Sequence, residues 1–256
     1  MRNIKATIAY DGTDFAGWQV QPDRRTIQGE LKAAIERVVG EQVLPQGSGR
    51  TDAGVHAQAQ VASFAIEAPI PVENLLFALN RTLPPAIRVT HVCEVPADFH
   101  ARKSAHAKSY RYRISRVPVT SPFVARYVWH YPFPLDEDKM AVAAPLVIGA
   151  HDFTAFAAAD PECGTEDTER SNVRTIFSSR FYRSRDGESN AEELIYEVRG
   201  NGFLHHMVRN LVGTFVLIGK GTLAPSDITR ILASLDRSQA GPTAPACGLA
   251  LLTVEY

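Results

Sequence analysis

The stretch TIQGELKAAIERVV, residues 26–39, decides how the first half of this chain folds. Its apolar residues recur at three- and four-residue intervals, the period at which side chains share one face of an α-helix. Thr26 is a residue type suited to capping the first turn, and Gly40 follows the last residue, where glycine most easily makes a left-handed stop. Upstream, IKATIAY at residues 4–10 alternates as a half-buried strand does. Downstream, residues 42–46 and 58–66 read as two strands. Pro71 then opens a second helix over PVENLLFALNRTL, and IRVTHVCEV closes the half as a strand. The order is β-α-β-β-α-β.

A looser version of that order recurs. KSYRYRIS reads as a strand, DEDKMAVAAPLVIG as a helix, NVRTIFSSRFYR and ELIYEVRG as paired strands, and NGFLHHMVRNLVGTFVLIG as a long helix. A short helix near Pro225 and a last strand, GLALLTVEY, complete it. The expectation is an α+β fold of two ferredoxin-like (split β-α-β) halves, residues 1–104 and 105–256, with mostly antiparallel sheets flanking a central cleft. The halves share no detectable sequence similarity, so the repetition is one of element order only.

Composition narrows the class. Apolar residues make up 45% and charged ones 21% of the 256, as in an ordinary folded protein. The start of the chain lacks an apolar stretch of signal-peptide length, and runs such as LVGTFVLIG are too short to span a bilayer, so a cytoplasmic protein with no membrane partner is expected. Cys93, Cys163 and Cys247 lie far apart without a CxxC pair, which suggests neither a disulfide framework nor a thiolate zinc site. The net charge of −1 hides an uneven distribution. From Phe99 to Leu135 there is no carboxylate, yet Arg102, Lys103, Lys108, Arg111, Arg113, Arg116 and Arg126 all fall there. Asp160 to Glu169 is the acidic counterpart and reads as an exposed loop.

Three constellations carry chemistry. In GSGRTDAGVHA, residues 47–57, Asp52 follows Arg50 and Thr51 among glycines. Gly49 and Gly54 have the spacing of a phosphate-binding loop, but Val55 and His56 stand where lysine and a hydroxyl are needed. Asp52 is then either a turn-capping side chain or a carboxylate held ionised and oriented by a guanidinium, fit to act as nucleophile or base. In KSYRYRIS, Tyr110, Tyr112 and Ile114 share one face while Arg111 and Arg113 share the other. That pattern serves a core strand with solvated arginines, or a sheet that meets phosphates and offers a ring to a base. In the long helix the pairs Phe203/Leu204, Met207/Val208, Leu211/Val212 and Phe215/Val216 define a buried stripe. The other face carries His206, Arg209, Asn210 and Gly213, where the missing side chain would admit another segment. Arg209, set beside apolar surface, invites a carboxylate partner. Adjacent His205 and His206 lack the i, i+4 spacing of a helix-borne zinc pair, and no metal is expected.

Taken in order, YDGTDFAGWQVQ, GRTDAGVHA, DFHAR followed by KSYRY, and NGFLHHMVRNLVG resemble the motif series of the tRNA pseudouridine synthase A family over nearly the whole chain. The resemblance implies an enzyme that converts uridine to pseudouridine at tRNA positions 38–40, in the anticodon stem-loop, with no metal or organic cofactor. It implies a homodimer in which each tRNA touches both subunits. Asp52 would be the essential aspartate, Arg50 the residue that helps displace the target nucleotide, Tyr110 the ring stacked on the target base, and Arg209 the partner of the aspartate. The positive tract itself, and not the resemblance, suggests Arg102, Lys103, Lys108 and Arg111 as RNA contacts. A tRNA-binding protein without catalysis and a nucleoside hydrolase that releases free uracil are the rival classes.

Overall fold

A computed structural model describes residues 1–159, 171–185 and 192–256. The chain divides into two compact units, Met1–Lys108 with Ala250–Tyr256, and Ser109–Leu249. The division falls at 108/109, four residues beyond the expected boundary. The last seven residues also return to the first unit, because the final strand pairs there.

The first unit contains β1 (Arg2–Tyr10), α1 (Ile27–Val39), β2 (Gln46–Gly47), β3 (His56–Ile66), α2 (Val72–Thr82) and β4 (Ile87–Val95). Its strands lie in the order β4-β1-β3, with β2 also on β3. All these neighbours are antiparallel. The closing strand β10 (Leu249–Glu255) joins β3 in parallel, Ala250 opposite His56. The caps are those expected: the Thr26 hydroxyl accepts from Gly29 N, and Gly40 turns left-handed at φ 76°. Ile27, Leu31, Ala34 and Ile35 of α1 are buried, as are Ile4, Ala6 and Ile8 of β1. Each such large aliphatic side chain contributes about 1.5–3 kcal/mol by leaving water. The strand expected at residues 42–46 shrinks to two residues.

The second unit holds most of β5 (Ala107–Ser115), then β6 (Trp129–His130), α3 (Glu137–Ala143), β7 (Gly149–Asp152), β8 (Val173–Arg185), β9 (Glu192–Gly200), α4 (Met207–Gly219) and α5 (Asp227–Ser234). Its strand order is β5-β9-β8-β7, with β6 parallel to β5. The helix expected over residues 136–149 ends at Ala143 and tightens to a 3-10 turn around Pro145, which has no N–H to give to an α-helical ladder. Gly149, at φ 113°, then turns the chain into β7. The long helix begins at Met207 rather than near 201. His206, at φ 59°, is left-handed and cannot continue a helix backwards. α4 is buried on nearly every side, Asn210 and Thr214 included, rather than on one stripe. The acidic tract at 160–169 lies outside the described residues. Among those residues, no helix is long and apolar enough to cross a membrane.

Candidate active site

Asp52 sits on the connection between β2 and β3, and its neighbours pin that connection by its backbone. Trp18 N donates to Thr51 O at 3.0 Å, Val55 N to Asp52 O at 3.1 Å, and Gly54 N to Phe15 O at 3.3 Å. Below the loop, Thr51 is buried and its hydroxyl meets the Tyr10 hydroxyl at 2.8 Å. Burial pushes the Tyr10 phenol up to about 12, so it stays protonated and able to donate. Gly17, at φ 93°, brings its backbone so near that a Cβ would lie 2.6 Å from Thr51 O. A side chain there would displace the loop. The motifs YDGTDFAGW and GRTDAGVH, separate in sequence, are thus one interlocked substructure. With Thr51 beneath it, Asp52 is held half-exposed and Arg50 lies exposed.

A second layer supports the root of the loop. Gln60, fully buried, accepts from the Ser48 hydroxyl at 2.6 Å and Val61 N at 3.1 Å, and donates to Gly49 O at 2.9 Å. Lys108 Nζ donates to Ser48 O at 2.6 Å. The reading of the sequence did not reach Tyr10, Trp18, Ser48 or Gln60. Tyr10 and Trp18 lie within YDGTDFAGWQVQ and Ser48 within GSGRTDAGVHA, but nothing in the sequence signals Gln60.

In the second unit Tyr110 is buried at 8% exposure, its ring edge-on to Phe203 with centroids 5.0 Å apart. Tyr112, on the same face of β5, is core, and its hydroxyl donates to Pro245 O at 2.7 Å. Arg209 is half-buried on the first turns of α4. Its Nε donates to Ala244 O at 2.8 Å, and Ala244 N donates back to Arg209 O at 3.2 Å. The opening left by Gly213 admits the segment ahead of Ala244, as its lack of a side chain suggested: Pro242 O lies where a Cβ would be.

The arginines of β5 do not stand in open solvent. Arg111 donates from Nε and Nη2 to Glu197 Oε1, at 3.0 and 2.7 Å, and Arg113 holds Glu193 through both carboxylate oxygens at 2.7 and 2.6 Å. Burial works against the Glu197 carboxylate, but hydrogen bonds from Arg180, Arg111 and Tyr182 outweigh it and hold that carboxyl below its usual range. Arg102 and Lys103 are exposed on the turn after β4.

A family model described as tRNA pseudouridine synthase matches residues 6–102 and 143–256. The first stretch includes Arg50 and Asp52 and the second Arg209, while Tyr110 falls between them. Proteins named tRNA pseudouridine synthase A match along all or most of their lengths. The one from Solibacter usitatus is 52% identical over 100% of both chains, and that from Brevibacillus brevis 45% over 100% of both. That from Moorella thermoacetica is 47% identical over 99% of each. The chain belongs to the tRNA pseudouridine synthase family, whose members isomerise uridine to pseudouridine.

Proposed function

We propose that the protein isomerises uridines at positions 38–40 of the tRNA anticodon stem-loop, with Asp52 as the catalytic residue. The observation that carries this reading is the state of Asp52: a half-exposed carboxylate on a loop whose backbone is fixed at Ser48, Gly49, Thr51 and Asp52 itself. A reacting group needs that fixity, whereas a turn-capping aspartate does not. Substrate and product are isomers: the bond from the sugar carbon to N1 breaks, a bond to C5 forms, and the C5 proton leaves while N1 gains one. No electron donor or acceptor is required, which agrees with the expectation of no cofactor.

The target base must first leave its stack, at a cost of a few kcal/mol. In this reading Arg50 fills the vacated space, the ring of Tyr110 holds the extruded base, and Arg209 pairs with Asp52 once the site is dry. Asp52 then adds to the uracil ring, attacks the sugar carbon, or removes a proton to give a glycal; each route frees a uracil that turns and rejoins through carbon. Exclusion of water keeps that intermediate from being lost. The two units as ferredoxin-like halves around a cleft, a homodimeric assembly and a cytoplasmic setting belong to the same reading.

The test is tritium release from C5-labelled uridine in an unmodified tRNA transcript, with the product mapped at single-nucleotide resolution. Release with pseudouridine at 38–40 is the expected result. Binding without release would leave a tRNA-binding protein, and free uracil would mark a hydrolase. For the stacking ring, Tyr110→Phe should keep turnover within about tenfold, whereas Tyr110→Ala should lose about 10- to 100-fold, the value of one base-on-aromatic contact. A thermal melt checks that the Ala variant, which also loses its edge contact with Phe203, still folds.

A further inference from the structure

We propose that Lys108 is a positioning residue: with Gln60 it sets the backbone that leads into Asp52, and it does so instead of binding an RNA phosphate. The proposal rests on the reading of Asp52 given above. Sequence alone groups Lys108 with the RNA-facing cations, since it lies in a tract of positive charge. Its ammonium, however, meets the Ser48 carbonyl at 2.6 Å, 60 residues away in the chain. A charged donor makes a short, strong bond to a carbonyl, and this carbonyl belongs to a residue with no exposed surface.

Gln60 secures the next residue. Its amide nitrogen holds Gly49 O at 2.9 Å, while its oxygen is fixed by the Ser48 hydroxyl and Val61 N. Ser48 N in turn donates to Val61 O at 2.8 Å. The two carbonyls immediately before Arg50 are therefore both held by side chains, and Thr51 O, just after it, is held by Trp18 N. Without Lys108 the β2 end of the loop loses a charged tether. Lys108 and Tyr110 also stand two residues apart on one face of β5, so the strand that carries the stacking ring carries the loop's anchor as well. A displacement of about 1 Å at a reacting group costs roughly 100-fold in rate.

The experiment compares Lys108→Met, Lys108→Gln and Gln60→Glu with the unaltered protein by single-turnover tritium release at saturating enzyme, together with tRNA Kd as a function of salt and a thermal melt. Lys108→Met should lower the rate about 10- to 100-fold, with Kd within about threefold, the salt dependence of Kd unchanged and the melt intact. Lys108→Gln, which retains a neutral donor, should fall between Lys and Met. Gln60→Glu, which loses the donor to Gly49 O, should show the same split if Lys108→Met fails to fold. An unchanged saturating rate overturns the proposal, and so does a salt slope reduced by about one, the signature of a lost phosphate contact. Asp52→Asn is run alongside. Full turnover in that variant sinks the Asp52 reading, whereas a dead Asp52→Asn beside a fully active Lys108→Met sinks only this proposal.

Discussion

Asp52→Asn should abolish pseudouridine formation, by about 1,000-fold or more, while tRNA binding stays within about threefold. The exchange swaps a carboxylate for a carboxamide of the same shape. Bonds to the carbonyls of Ser48, Gly49, Thr51 and Asp52 and to the Thr51 hydroxyl help hold the loop, and all of these survive it. A thermal melt of the variant separates a loss of chemistry from a loss of folding. Single-turnover tritium release gives the rate, and filter binding of the same transcript gives the affinity. Affinity is expected to hold because most of the binding energy for RNA comes from phosphate contacts, which a loop carboxylate does not make. Turnover within tenfold of the unaltered protein would remove Asp52 from the chemistry and return it to the turn-capping role that its glycine neighbours also allow.

How much of this was legible in the sequence depends on whether the deciding interaction is local. The limits of α1 could be read because Thr26 and Gly40 act within one turn of the helix they bound. The start of α4 could not be, since the four-residue spacing of apolar pairs runs back through Phe203 and Leu204. What stops the helix is one left-handed residue, His206, and spacing does not encode that. The same holds at the candidate site. Arg50 and Asp52 stand out because glycines surround them, but the groups that support their loop come from β1, β3 and β5. Gln60 looks like any polar residue in an alternating strand until β2 and the loop are laid beside it. Lys108 and Arg111 look like RNA contacts because a local count of charge sees neither Ser48 O nor Glu197, which lie 60 and 86 residues from them. The resemblance to a family points to where the chemistry would lie; the packing shows cations that are already engaged within the protein.

Gly213→Ala should be the most damaging small substitution in the second unit, and it tests how Arg209 is held. In an exposed helix this change would stabilise by about 1 kcal/mol. Here the new Cβ would lie 1.7 Å from Pro242 O, a backbone atom that cannot rotate aside. The segment that carries Pro242 is tied along one side of α4: Gly241 N donates to Thr214 Oγ1 at 2.8 Å, Thr243 Oγ1 to Asn210 Oδ1 at 2.7 Å, and Ala244 exchanges backbone and side-chain bonds with Arg209. To admit a methyl group the segment must lift, and those bonds lengthen together. Overpacking of this kind costs about 1–3 kcal/mol, and the strained bonds add to it, so a net loss of about 2–3 kcal/mol is expected. For a chain of this size that lowers the melting midpoint by roughly 5–10 °C. Gly221→Ala is the control. Its φ of 76° makes the change unfavourable, but nothing lies within 4 Å of its Cβ, so the cost should stay near 1 kcal/mol. The Gly213 variant should also turn over more slowly at temperatures where it remains folded, because Ala244 fixes the Arg209 guanidinium. A Gly213→Ala protein as stable as the parent would mean that Pro242 does not cross the helix there, and the account of how Arg209 is oriented would fall with it.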